Sequence, residues 1–268
     1  MSGGFRPLSD FPLAERRDVR CVLCDIDDTL TSDGRLTASA YLAMERLANA
    51  GLAVIPVTGR PAGWCDMIAR QWPVVGVVGE NGALSFRYDR STRRVIRRYW
   101  YNAEQRATDR CRLQALAGRI AEIVPAAHPA SDQRYRETDL AIDWCEDVTP
   151  LTESEVERVV ACAEASGATV KVSSIHINIW FGEFSKLAMT SRLIDDLFGR
   201  TMATMPSRCV FVGDSPNDSS MFAFFRNSIG VANIRRFLDR IEVGPTYVTN
   251  ACGGEGFAEV GDALLAAR

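Results

Sequence analysis

Four short runs of almost uninterrupted apolar residues constrain this chain more than any other feature: CVLC at 21–24, LAVIPV at 52–57, VVGVVG at 74–79 and CVFVG at 209–213. A strand with one wet face alternates apolar and polar side chains, so a run without alternation is buried on both faces. Segments of helical spacing lie between the runs, from about Thr37 to Ala50, closed by Gly51, and from about Pro61 to Gln71. Doubly buried strands separated by helices predict an α/β fold, with a Rossmann-like parallel sheet covered on each side.

The pattern changes from about Leu84 to Glu183. LSFRYD and RRVIRRYWY predict an antiparallel hairpin, Glu104 to Ile123 a helix, and ETDLAIDW a strand. Thr152 to Ser166 reads as a helix opened by a capping box of Thr152 and Glu155, and ATVKVSS with IHINIWF as a further strand pair. After Ser185 the α/β alternation resumes, with a helix to Phe198, the strand RCVFVGDS, a helix opened by Pro216 to Asp218, the strand SIGVA, a helix near Ile234 to Asp239 and the strand TYVTN. The expected organisation is a core formed by residues 1–83 and 185–268, with an α+β cap, residues 84–184, inserted into it.

Composition excludes several classes. With 268 residues, 47% hydrophobic and 24% charged, the chain is too apolar and too evenly charged for disorder. Its 31 basic and 34 acidic side chains leave a formal charge of -3, so no global field draws it to nucleic acid or an anionic membrane. No stretch approaches the about 18 consecutive apolar residues of a membrane helix, and the opening MSGGFRPLSDFPLAERRD lacks the apolar region of a secretory signal. A cytoplasmic location is expected. The eight cysteines are scattered, mostly within apolar runs, as reduced core thiols are. Cys21 and Cys24 form a C-x-x-C inside a strand, with no second pair to complete a zinc site. His128 and His176 are far apart, so acid–base work falls to carboxylates or lysine.

Polar groups at strand ends carry the chemistry. Asp25-Ile26-Asp27-Asp28-Thr29 follows the first apolar run, where open parallel sheets present ligand-binding loops. Strand alternation sends Asp25 and Asp27 to the same side, and two close carboxylates repel unless a cation or a shared proton intervenes. A nucleophilic carboxylate, a neighbouring general acid/base and Mg²⁺ make one coherent reading, and a charged turn after a buried strand is the other. Gly213-Asp214-Ser215-Pro216-Asn217-Asp218 repeats the arrangement at a second strand end, as oxygen ligands for Mg²⁺ or as helix caps. Thr58-Gly59-Arg60 offers a hydroxyl and free N–H groups for phosphate, or a Gly turn with a capping Thr. Lys186 opens a helix, where the dipole disfavours a cation unless an anion lies near.

Together DIDDT, TGR, Lys186 and GDSPND resemble the four ordered motifs of the haloacid dehalogenase superfamily of phosphohydrolases, in the branch with a type IIB, Cof-like cap. The resemblance covers about Cys21 to Gly82 and Ser185 to Gly256, with the cap between them matching in position and length. It implies that Asp25 is the nucleophile that forms an aspartyl-phosphate and that Asp27 protonates the leaving alcohol and then activates water. It implies phosphate contacts from Thr58, Gly59, Lys186 and Asn217. Mg²⁺ would be held by Asp25, Asp214, the main-chain carbonyl of Asp27 and Asp218, the last directly or one shell out. Asn81, in a turn that resembles the family's Asn-Gly-Ala segment, and Arg60 would lie near the substrate. Two positions depart from the family pattern: Asp28 stands where many members have Gly, and Leu187 follows the motif lysine in place of the common Gly.

The expected activity is a Mg²⁺-dependent phosphatase acting on a small phosphorylated metabolite, a sugar phosphate or a phosphoglycerate-type ester. A phosphomutase of the same superfamily is the enzymatic alternative. A nucleic-acid-binding or regulatory module is the non-enzymatic one, because the cap hairpin carries Arg87, Arg90, Arg93, Arg94, Arg97 and Arg98 against one acid, Asp89. The chain's acidity argues against a nucleic-acid partner, and no membrane partner is expected. Arg134, Arg136, His176 and Asn178 lie on or beside other cap strands, and oligomeric state is left open, a homo-oligomer included.

Overall fold

The computed structural model describes residues 5–199 and 206–268. The described chain begins with a two-residue strand β1 (Arg6–Pro7) and a short helix α1 (Leu13–Asp18), then enters β2 (Cys21–Cys24). A small hairpin, β3 (Thr31–Ser32) and β4 (Arg35–Leu36), leads to α2 (Ala38–Asn49), where the Thr37 hydroxyl caps the helix by accepting from the Ala40 N–H. Next come β5 (Ala53–Pro56), α3 (Ala62–Gln71) and β6 (Val77–Gly79), followed by the hairpin β7 (Leu84–Asp89) and β8 (Arg94–Tyr99). The inserted elements are α4 (Ala103–Ile123), β9 (His128–Pro129), β10 (Leu140–Asp143), α5 (Glu153–Ala165), β11 (Thr169–Val172) and β12 (His176–Trp180). The chain returns through α6 (Lys186–Phe198), β13 (Cys209–Gly213), α7 (Ser219–Phe224), β14 (Ser228–Gly230), β15 (Tyr247–Val248) and α8 (Gly253–Leu265).

The core is a six-stranded parallel sheet in the order β1-β15-β14-β13-β2-β5. Because the apolar runs lack alternation, each strand feeds both faces. Val22, Cys24 and Val54 pack with Met44 and Leu47 of α2 and Phe257 and Val260 of α8, while Cys21, Leu23 and Ile55 pack with Met189 and Leu193 of α6 and Met221 of α7. From β2 the chain proceeds outward to β5 and later returns to β13 on the opposite flank. The carboxyl ends of β2 and β13, with Cys24 opposite Val212, are therefore a topological switch point, the crevice where such sheets bind ligands.

The Arg-rich hairpin differs from the expected boundary at residue 84. β7 pairs with β6, whose Val78 bridges to Val57 at the edge of the core sheet, and Phe86 is buried in the core cluster. The hairpin thus continues the core, because the inner face of β7 is apolar and finds its partner in α3. Arg97 pairs with Asp66 of α3 and Arg98 with Asp196 of α6. The separate antiparallel sheet is β11-β12-β10-β9, with Ile177 and Ile179 packed against Leu116 and Ile120 of α4 and Val159 of α5. Alternation then turns His176 and Asn178 to the other face of β12. The expected helix near Ile234 is instead a 3-10 turn, Ala232–Phe237. Among the described residues no helix is long and apolar enough to cross a membrane.

The Glu80-Asn81-Gly82 turn joins β6 to β7 and packs against the start of α6. Gly82 has φ of +104°, and a Cβ there would lie 2.1 Å from the Ser185 carbonyl oxygen. Gly82→Ala is therefore expected to cost about 2–4 kcal/mol and to lower the melting temperature by roughly 5–10 °C, read by thermal denaturation followed by circular dichroism.

Candidate active site

β2 is followed directly by Asp25, whose N–H donates to the Val212 carbonyl at 2.9 Å and so continues the ladder with β13. Asp214 directly follows β13, and Asp218 closes the turn beyond it. These three buried carboxylates bring one oxygen each to within 4.8 Å of one another. Lys186, the first residue of α6, reaches into the group: its Nζ donates to Asp25 Oδ1 at 2.8 Å and to Asp218 Oδ1 at 2.9 Å. The other Asp218 oxygen accepts from the Asp214 N–H at 3.3 Å. Asp218 therefore anchors the lysine and the strand end together. Thr29 Oγ1 donates to Asp214 Oδ1 at 3.3 Å, and Asn233 Nδ2 approaches Asp214 Oδ2 at 3.4 Å.

Charge is out of balance here. Burial pushes the Asp25 carboxyl up to about 7 from 3.8; Asp218 and Asp27 add to that, and Lys186 opposes it. Burial, then Asp25 and Asp218, raise Asp214 well above the carboxylate range. Burial works against the Lys186 ammonium, but Asp218 and Asp25 outweigh it and keep the proton bound. Hard carboxylate oxygens, buried together and short of positive charge, are donors suited to Mg²⁺ rather than to a thiophilic ion.

Asp27 follows a different course. Its carboxylate faces Arg60, which donates from Nη2 at 2.7 Å and from Nε at 3.0 Å. Its side chain is not a member of the three-carboxylate group. Arg60 is buried, and its remaining donors go to Glu146, at 2.6 and 3.2 Å, so the guanidinium is committed to protein carboxylates rather than left for substrate. Thr58 is fully buried; its Oγ1 accepts from the Arg60 N–H at 3.0 Å, which leaves its own proton to donate. Gly59 leaves room for Asn81, since a Cβ there would sit 3.1 Å from Asn81 Oδ1. Asn81 has φ of 57° and donates to Asp139 at 3.1 Å, and so faces the inserted unit. Asn217 Oδ1 accepts from Ser215 Oγ at 2.8 Å.

Asp25, Asp27, Gly59, Arg60, Ser215 and Asn217 line one narrow cleft, closed from above by Ser173, Ser174, His176 and Asn178. The sequence reading did not single out Glu146, Asp132 or Asn233. Glu146 and Asp132 lie in loops of no marked pattern. Asn233 donates to the Asp28 carbonyl at 3.0 Å and accepts from the Gly253 N–H, contacts that only the tertiary fold creates. Asp28 has φ of 57°, in the left-handed region that Gly adopts freely and Asp tolerates.

Because the folded Asp25 carboxyl has its pKa raised from 3.8 to about 7, its contribution to stability is present below the unfolded value and lost as pH rises through 7. In chelator the melting temperature is expected to fall between about pH 4 and pH 7, with a shallower fall in Asp25→Asn. Millimolar Mg²⁺ is expected to raise the melting temperature more at the upper end of that range.

Residues 22–105 match the family model of haloacid dehalogenase-like hydrolases. Among solved structures, a Thermoplasma acidophilum protein superposes with a TM-score of 0.70 at 17% identity, covering 92% of this chain and 98% of its own. The sucrose-phosphatase of Synechocystis sp., solved with sucrose and phosphate, gives 0.64 at 17% identity over 92% and 98%. A trehalose-6-phosphate phosphatase related protein gives 0.59 at 13% over 92% and 98%. At such identities the likeness is one of fold. No curated protein matches the sequence. The segment from β2 through the hairpin thus matches the family model of haloacid dehalogenase-like hydrolases, and nearly the whole chain has the fold of these solved structures.

Proposed function

We propose that the protein is a haloacid dehalogenase-like hydrolase, a phosphatase for a small phosphorylated metabolite, a sugar phosphate or phosphoglycerate-type ester, and that it works through an aspartyl-phosphate on Asp25. The observation that carries the reading is the separation of two neighbouring carboxylates into different environments: Asp25 against Lys186, and Asp27 against Arg60. Paired groups placed in unlike surroundings are how one site obtains a nucleophile and a proton carrier. In the first half-reaction an Asp25 oxygen attacks phosphorus. The P–O bond to the alcohol breaks, its electron pair leaves with the alcohol oxygen, and Asp27 supplies the proton. In the second, a water oxygen attacks the same phosphorus while Asp27 takes its proton, and the bond to Asp25 breaks to restore the carboxylate. Lys186, the Thr58 hydroxyl, the Gly59 N–H and Asn217 hold the phosphoryl oxygens. Asp25, Asp214, Asp218 and the Asp27 carbonyl would hold Mg²⁺, which when bound neutralises phosphoryl charge.

Two features support a hydroxyl-bearing leaving group. The upper wall of the cleft is polar, and Asn178 Oδ1 is buried there with no hydrogen-bond partner among the described residues. A sucrose-phosphatase and a trehalose-6-phosphate phosphatase related protein among the fold relatives point the same way.

The test is phosphate release from a panel of sugar phosphates, phosphoglycerate-type esters and p-nitrophenyl phosphate. Release should require Mg²⁺, fall to background in Asp25→Asn and, from the alkyl esters, fall about 100-fold or more in Asp27→Asn. No release from any ester by the unaltered protein would overturn the reading. Stoichiometric transfer between two sugar phosphates without free phosphate would make it a mutase.

A further inference from the structure

Arg60 joins the inserted unit to the site. Its guanidinium grips Asp27 at the end of β2 and, at 2.6 Å, Glu146 in the loop after β10; Asp132 Oδ2 lies 3.5 Å away and the Trp64 ring 4.4 Å away. Glu146 is itself fixed. Its N–H and that of Cys145 donate to Asp143 Oδ1, the Asp147 N–H donates to Asp143 Oδ2, and His176 Nε2 lies 2.9 Å from its carboxylate. Among the described residues, Arg60 is the only side chain that donates to the Asp27 carboxylate.

A carboxylate on a short stem can swing about two bonds, and a planar guanidinium fork removes that freedom only if the fork is held on its far side. Here Glu146 holds it. We infer that Arg60 and Glu146 are positioning residues for Asp27, which aligns its carboxyl for proton transfer only while the inserted unit is seated on the core.

The inference rests on the phosphatase reading, and leaving-group chemistry separates the two. An alkoxide must be protonated as the P–O bond breaks, whereas p-nitrophenolate departs unprotonated. A misaligned Asp27 therefore penalises an alkyl phosphate and spares the aryl one, up to the first irreversible step that kcat/KM reports. Arg60→Lys replaces the fork by a point charge, and Glu146→Ala removes its far support. For each, kcat/KM is measured on p-nitrophenyl phosphate and on the fastest-cleaved alkyl phosphate of the panel, with Asp27→Asn as reference. The expected result is a loss at least about tenfold greater on the alkyl ester, in the direction that Asp27→Asn shows more strongly. Both esters are read on the same sample, so the ratio does not depend on how much of a variant is folded. Equal losses on the two esters would overturn the inference and leave the phosphatase reading standing. An unaltered protein that cleaves neither ester would overturn both.

Discussion

The arrangement depends on a shortage of positive charge at the carboxyl edge of the sheet. Four carboxylates, Asp25, Asp27, Asp214 and Asp218, reach that edge from β2 and from the end of β13, and two protein cations, Lys186 and Arg60, meet them there. Each cation is shared among carboxylates. Lys186 takes Asp25 and Asp218, Arg60 takes Asp27 and Glu146, and Asp214 is left with weak donors alone. An unpaired buried carboxylate is costly, so the group is incomplete without further positive charge. The same division puts neighbouring aspartates of one strand end into unlike environments, although strand alternation sends them to one side.

Geometry upstream serves this edge. The turn after β6 runs through Glu80 and Asn81, both at positive φ, and Gly82 then touches Ser185, the cap of α6. Lys186 is thus delivered to Asp25 by a helix start wedged against a turn of the core. Glu80 is fully buried beside that turn. It accepts from the Ala62 N–H at 2.8 Å, the Glu137 N–H at 2.9 Å and the Thr138 N–H at 2.7 Å, so a core carboxylate satisfies backbone donors of both α3 and the inserted unit.

Much of this was legible in the sequence, for identifiable reasons. Unalternating apolar runs gave away the parallel sheet, and polar residues at their ends marked Asp25, Thr58 and Asp214, because both signals are local. Lys186 stood out by violating the helix dipole. The hairpin's allegiance was not legible, since an antiparallel pair has the same pattern in either unit and only the burial of Phe86 against the core decides it. Nor was the pairing of Arg60 with Glu146, 86 residues apart in sequence, because a contact of that range leaves no periodic trace. Alternation puts Asp27 on the same side as Asp25, and the two line one cleft, but that its carboxylate pairs with a guanidinium from the neighbouring loop has no local signal.

The two ends of the junction between core and inserted unit are built from different interactions. At the crossing points of the chain, Trp180 stacks on Phe184 at 5.4 Å, Tyr101 meets Phe184 edge-on, and Ala83 and Trp100 close the cluster. At the site end the contacts are polar: Arg60 to Glu146, Asn81 to Asp139, and Arg136 Nη1 to the Gly59 carbonyl at 2.8 Å. Water can replace a polar partner at modest net cost, whereas parting stacked aromatic rings exposes apolar surface with no compensation. The site end is therefore the less costly of the two to part. Parting the site end would free Arg60 from Glu146 and so remove the far support of the fork that grips Asp27.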